Sequence, residues 1–237
     1  MPAYLRAFSR RLDLAAQGLA PAYFALVMAT GVLSLSSDTF GLPLLARYLF
    51  GLNIVFYAVL WVLTLWRSLY FPQRLWNDLL NYQRGPGFFS IVAASSVLGS
   101  QCILLVQYRD IALVLWILGA VLWFLLNYGI FTLYTIRLDK PRLENGISGI
   151  WLLAVVAAQS LAVLALQLDG SWSALHRLEY NFVALSLWLW GGMLYIWIMV
   201  LIFYRYIFFA FMQKISLRRI GSTWVPWLFL LWLDHCS

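Results

Sequence analysis

Polar and apolar positions along this chain do not alternate; they segregate into blocks. Six apolar blocks, residues 19–37, 49–69, 87–106, 111–136, 149–168 and 182–209, each approach or exceed the roughly 20 residues that a helix needs to cross a bilayer. Charged and turn-forming residues gather between them. The short alternating segments of a barrel are not seen, so the blocks predict six membrane-spanning helices. Trp61, Trp66, Trp116, Trp151 and Trp172 lie at or near block ends or in the next loop, where an interfacial aromatic belt would put them. Trp123, Trp188 and Trp190 fall inside blocks and suit packing instead.

Composition turns the pattern into a fold class. Of 237 residues, 64% are hydrophobic and 11% charged, against about 45–50% and 25% in soluble domains. A soluble fold of this size could not hide so much apolar surface. That excludes a soluble enzyme, a nucleic-acid binder and a disordered chain, and leaves an all-α polytopic membrane protein. The net charge of +7 comes from sixteen Lys and Arg against nine Asp and Glu. These cations sit in short loops, where they set topology.

Counted on alternate sides, thirteen of the sixteen fall on one side, among them Arg6, Arg67, Arg84, Arg137, Lys140 and Arg205. The other side holds three: Arg47, Arg109 and Arg177. The positive-inside rule then puts the N-terminus in the cytoplasm, with the chain in the plasma (inner) membrane. In residues 1–18, Arg6, Arg10, Arg11 and Asp13 interleave with Tyr4, Leu5, Phe8, Leu12 and Leu14. That segment predicts an amphipathic helix on the inner surface, and no cleavage site follows the first block. Cys102 and Cys236 are too few for a disulfide framework and read as free thiols.

The blocks also repeat. Pro21-Ala-Tyr-Phe-Ala-Leu-Val-Met-Ala-Thr-Gly-Val-Leu-Ser34 aligns with Pro86-Gly-Phe-Phe-Ser-Ile-Val-Ala-Ala-Ser-Ser-Val-Leu-Gly99, sharing the leading Pro, an aromatic pair and a small hydroxyl cluster. A weaker third copy starts at Gly149. The unit is a helical hairpin, giving three: 19–69, 87–136 and 149–209, within a transmembrane domain of residues 19–209. Odd blocks are rich in Gly, Ala, Ser and Thr, and even blocks in Leu, Trp, Phe and Tyr. Small-residue helices approach one another closely, so the odd helices are expected inside and the bulky ones outside.

In the repeat register Thr30, Ser95 and Ala158 are equivalent, as are Gly31, Ser96 and Gln159. Thr30 falls about 13 Å along its helix, near mid-bilayer. Hydroxyl and amide groups at that depth can hydrogen-bond a dehydrated anion more loosely than Arg or Lys would. Thr30, Gly31, Ser34, Ser95, Ser96, Gly99 and Gln159 are therefore the expected lining of an anion path, with Gly31 and Gly99 giving it width. The competing reading of each hydroxyl is a bond to a backbone carbonyl that serves packing. The first five blocks hold no Asp, Glu, Lys or Arg near their middles, which favours a passive or weakly coupled path.

An enzyme is not expected. Gly146-Ile-Ser-Gly149 matches the Gly-x-Ser-Gly of rhomboid-type proteases, but the only histidines are His176, in an outer loop, and His235, at the tail. Ser148 then has no base in reach. Asp139 and Glu144 lack the spacing of a metal site, and no cofactor is expected.

PAYFALVMATGVLSLSS at 21–37, GPGFFSIVAASSVLGSQ at 85–101 and NGISGIWLLAVVAAQSLAVLA at 145–165 resemble the tellurite-resistance/dicarboxylate transporter family. That family includes fungal malate and sulfite permeases and plant slow anion channels, and the first motif looks closest to the permeases. The resemblance implies an anion pathway for small substrates such as malate, other C4-dicarboxylates or sulfite. It also implies five helical hairpins with odd helices inside, assembled as a homotrimer in the lipid bilayer, with no nucleic-acid partner. Here a basic segment and the start of a fourth hairpin at Pro226 occupy residues 210–237, and the apolar stretch 225–233 is too short to span. The sequence thus reads as C-terminally truncated, without the family's pore-plugging aromatic. A non-transporting subunit or remnant is the alternative expectation.

Overall fold

The protein is described by a computed structural model covering residues 18–168 and 174–209. The expected amphipathic N-terminal segment and the interrupted fourth hairpin lie outside the described residues. Within them the chain forms helices α1 (Ala25–Thr39), α2 (Pro43–Tyr70), α3 (Pro72–Leu79), α4 (Phe89–Val106), α5 (Arg109–Ile136), α6 (Leu152–Leu168) and α7 (Ala174–Phe208), with no strand. Among the described residues five segments are long and apolar enough to cross a membrane: Pro43–Tyr70, Gly85–Val106, Arg109–Ile136, Gly149–Leu168 and Leu178–Phe208. The first apolar block, expected to be a sixth, forms 15 residues of α-helix behind a four-residue 3-10 turn and falls short of that measure. Ser34, Ser36, Ser37 and Asp38 dilute its second half.

The small-residue helices are the buried ones. Of the most apolar 18-residue window in each span, 78% is buried for α4 and 44% for α6, against 11%, 22% and 22% for α2, α5 and α7. Helix α4 lies in the middle, touching α1 on one side and α6 on the other; α2 backs α1, α5 backs α4, and α7 backs α6. Glycine makes the inner contacts possible. A Cβ on Gly31 would run into Val97 Cγ1 of α4, and one on Gly99 would lie 2.6 Å from Leu164 Cδ2 of α6.

Each inner helix opens in a 3-10 turn: Pro21–Phe24, Gly85–Phe88 and Gly149–Trp151. Proline in the first turn of the first two sacrifices no hydrogen bond, because those N–H groups have no intrahelical partner. The three openings meet at Gly87, where a Cβ would sit 3.2 Å from Ala22 N and 3.5 Å from Ile150 Cδ1. Ser90 Oγ, donating within reach of the Pro21 carbonyl (3.0 Å) and the Gly87 carbonyl (2.7 Å), ties the first opening to the second.

The outer helices touch the interior along one thin stripe. In α2 the buried positions are Ala46, Asn53, Leu60 and Arg67, seven residues apart. Two helical turns separate such positions, so only one face is used. Helix α5 is likewise buried along one face, at Ala112, Gly119, Asn127, Ile130 and Tyr134, and α7 at Ala184, Gly191, Leu194 and Ile198. Their other faces present apolar side chains such as Val62, Val114 and Ile196 outward, as a lipid-facing wall requires.

The end where α2 and α5 stop and α4 and α6 begin is basic and cross-braced. Arg67, buried at the end of α2, pairs with Asp78 Oδ2 of α3 at 2.5 Å and donates to the Leu19 carbonyl ahead of α1. Arg84 reaches Asp78 Oδ1 at 3.0 Å from solvent. Helix α3, not foreseen from the sequence because it is short and carries Arg74 and Asp78, exists to hold this carboxylate. Nearby, Tyr134 donates within 3.2 Å of the Leu79 carbonyl and 3.1 Å of the Asn81 carbonyl, and stacks on Tyr82 with ring centres 4.1 Å apart. Arg205 of α7 donates to the Ile147 carbonyl at the same end.

Removing one partner of a buried pair strands a charge, at a cost of about 3–5 kcal/mol. Asp78→Asn should therefore lower the thermal unfolding midpoint of the solubilised protein sharply. Arg84→Gln, whose partner keeps Arg67, should cost less than about 1 kcal/mol. Equal losses for the two variants would show that burial of the Arg67–Asp78 pair is not what braces this end.

Candidate functional site

The inner helices carry hydroxyls, amides and glycines and, apart from Asp38 at the end of α1, no Asp, Glu, Lys, Arg or His. Their polar groups are the candidate site. On α1, half-buried Thr30 donates its hydroxyl hydrogen within 2.6 Å of Asn53 Oδ1, with the Leu26 carbonyl (2.9 Å) as the competing acceptor. Asn53 Nδ2 in turn donates to Gln101 Oε1 at 2.6 Å. Asn53 and Gln101 are fully buried, and Gln101 Nε2 has no partner among the described residues. The chain Thr30–Asn53–Gln101 thus crosses from α1 through α2 to α4 and ends on an amide donor with a free N–H. A buried unmet donor costs about 1–3 kcal/mol, so it is either offset elsewhere or used.

The other expected lining residues sit in separate contacts. Gly31 packs beside the same chain, its missing Cβ facing Val97, Asn53 (3.0 Å) and Gln101 (3.4 Å). Ser34, fully buried, donates to the Ala46 carbonyl at 2.7 Å, joining α1 to the first turn of α2. Ser95, also buried, bonds its own-helix Ile91 carbonyl at 2.8 Å and shares a 2.8 Å bond with the Tyr57 hydroxyl of α2. Ser96 donates to the Val92 carbonyl at 3.0 Å and lies against Gly119 of α5. Gly99 receives Leu164. Gln159 Nε2, half-buried on α6, donates to the Trp188 carbonyl of α7 at 3.2 Å and fits against Gly191.

Thus Thr30 and Gly31 come together, while no hydrogen bond joins any two of the seven. The repeat register has a different structural content. Gly31, Ser96 and Gln159, equivalent in sequence, each face the outer helix of their own hairpin, at Asn53, Gly119 and Gly191 respectively. The sequence reading missed Asn53, Tyr57 and Gln101. Asn53 was passed over because it lies in an even block, yet an amide inside an apolar run is a packing or binding signal in its own right. Ser148 serves locally: its carbonyl accepts the Trp151 N–H at 3.1 Å and opens the 3-10 turn.

Comparison with known proteins agrees with this architecture. An uncharacterized transporter of Methanocaldococcus jannaschii is 28% identical over 196 residues, which is 78% of this chain and 55% of the relative. The chain therefore spans about half the length of that protein. No solved structure matches it significantly. Residues 18–226 match the family described as voltage-dependent anion channels. The chain belongs to the voltage-dependent anion channel family.

Proposed function

We propose that this chain forms part of a membrane pathway for small anions, with C4-dicarboxylates such as malate, or sulfite, as substrates. The N-terminus and the basic end face the cytoplasm, the membrane is the plasma (inner) membrane, and several copies assemble, as a trimer by resemblance. The observation that carries the reading is the family match over residues 18–226, on a chain whose inner helices offer hydroxyl and amide donors without fixed charge. An anion crossing a low-dielectric layer needs N–H and O–H groups in place of water. A full positive charge there would bind it too tightly to release.

Thr30, Gly31, Ser34, Ser95, Ser96, Gly99 and Gln159 remain the proposed lining set, and Gln101 joins them. Its Nε2 is buried and, among the described residues, unpartnered, the state of a donor reserved for a passing guest. The Thr30–Asn53 pair holds the opposite end of that amide and so fixes which way the N–H points.

Anion flux into proteoliposomes made with the 237-residue chain tests this, using malate, sulfite, nitrate and chloride with and without a pH gradient. Flux above empty liposomes is expected. Gln101→Leu, which keeps the volume and removes the donor, should lower it about five- to tenfold, the worth of one hydrogen bond. No flux from folded, inserted protein would favour the alternative, a subunit that does not transport by itself. Full flux through Gln101→Leu would remove that amide from the path.

A further inference from the structure

A cleft of about 680 Å³ opens at the basic end between the segment running from Asn77 to Gln83 and the loop after α5. It is walled by the amides of Asn77, Asn81 and Gln83 and by Arg137 and Lys140, with Asp139 as its one carboxylate among the described lining residues. No inner-helix residue lines it, so it is set apart from the candidate path. Arg137 is anchored, its Nη1 donating to the Leu80 carbonyl at 2.8 Å, which fixes the guanidinium at the mouth with N–H groups to spare. Lys140 is exposed, and no carboxylate lies within ion-pair distance of it among the described residues.

Exposed apolar residues flank the lining residues of this cleft along the chain. Ile136 and Leu138, the neighbours of Arg137, are 71% and 97% exposed, and Trp76, beside Asn77, is 51% exposed. A leucine left almost bare next to two cations is unfavourable in water, but it is the expected arrangement where acyl chains begin. Cations and amides on one side and bare Leu, Ile and Trp on the other match the two halves of a lipid molecule.

We propose that this cleft binds the headgroup of an anionic phospholipid. Arg137 and Lys140 take the phosphate, as basic pockets at the ends of membrane helices do. The three amides and Asp139 take hydroxyls of the headgroup, and the acyl chains run along Ile136, Leu138 and Trp76. Two cations against one carboxylate leave a net positive cleft, and a hydroxyl-bearing headgroup gives Asp139 a donor to accept from. Phosphatidylglycerol meets both demands, whereas phosphatidylcholine offers no hydroxyl and no net negative charge.

Native mass spectrometry of the purified chain, exposed to equal amounts of the two lipids, tests the assignment. Phosphatidylglycerol should be retained in preference, and Lys140→Gln should lower its bound fraction about fivefold while leaving phosphatidylcholine unchanged. Among the described residues Lys140 makes no ion pair, and Lys140→Arg should keep the lipid. Equal retention of the two lipids would overturn the assignment, as would undiminished phosphatidylglycerol on Lys140→Gln. Displacement of the lipid by millimolar inorganic phosphate would also overturn it, since the site would then serve the free anion. Lipid retention is read without flux, so either result leaves the transport reading to its own experiment.

Discussion

Helices in a bilayer gain little from the hydrophobic effect when they meet, because lipid tails are as apolar as their own side chains. What holds them together is close contact, and close contact needs side chains withdrawn from the interface. Three glycines provide this here. Gly31 admits Val97 where α1 meets α4, Gly99 admits Leu164 where α4 meets α6, and Gly87 lets the three 3-10 openings converge. With the inner helices this near one another, α4 is the most deeply buried of the described spans, and its buried polar groups have to find partners within the protein.

The polar groups answer that demand in two ways. Ser95 and Ser96 return their hydroxyls to carbonyls of their own helix, and Ser34 spends its hydroxyl on α2. Thr30, Asn53 and Gln101 instead hand hydrogen bonds from helix to helix, which leaves the Gln101 amide nitrogen with no acceptor among the described residues. A membrane interior without fixed charge but with such a donor can pass an anion without trapping it. Most of the cations lie at the basic end, where the buried Arg67–Asp78 pair ties α3 to the end of α2 and to the segment before α1.

Block lengths and composition carried the fold class, the inner and outer roles and the opening prolines, because a bilayer fixes length and hydropathy for every span. In the first block Ser36, Ser37 and Asp38 lie within the helix and lower its hydropathy in a way that a count of apolar residues overlooks. Helix α3 was not legible, since eight residues with Arg74 and Asp78 read as a loop until a partner such as Arg67 is known. The site was legible only in part. Spacing identified which small residues were equivalent, but contact is three-dimensional. Asn53 joins Thr30 to Gln101 across 48 residues of sequence between the two amides, and no local pattern announces that. Equivalent positions proved to share a neighbour type, the outer helix of their own hairpin.

Glycine-made contact between inner helices holds this bundle together, and a double-mutant cycle on Gly31 and Val97 tests that contact. Gly31→Ala should destabilise the solubilised protein by about 1–3 kcal/mol, the cost of overpacking. Val97→Ala in that background should recover part of the loss, giving a coupling well outside additivity. Gly51→Ala, where a Cβ meets open space, should cost nothing. Additive effects of the two substitutions, or a Gly31→Ala as harmless as Gly51→Ala, would contradict the claim.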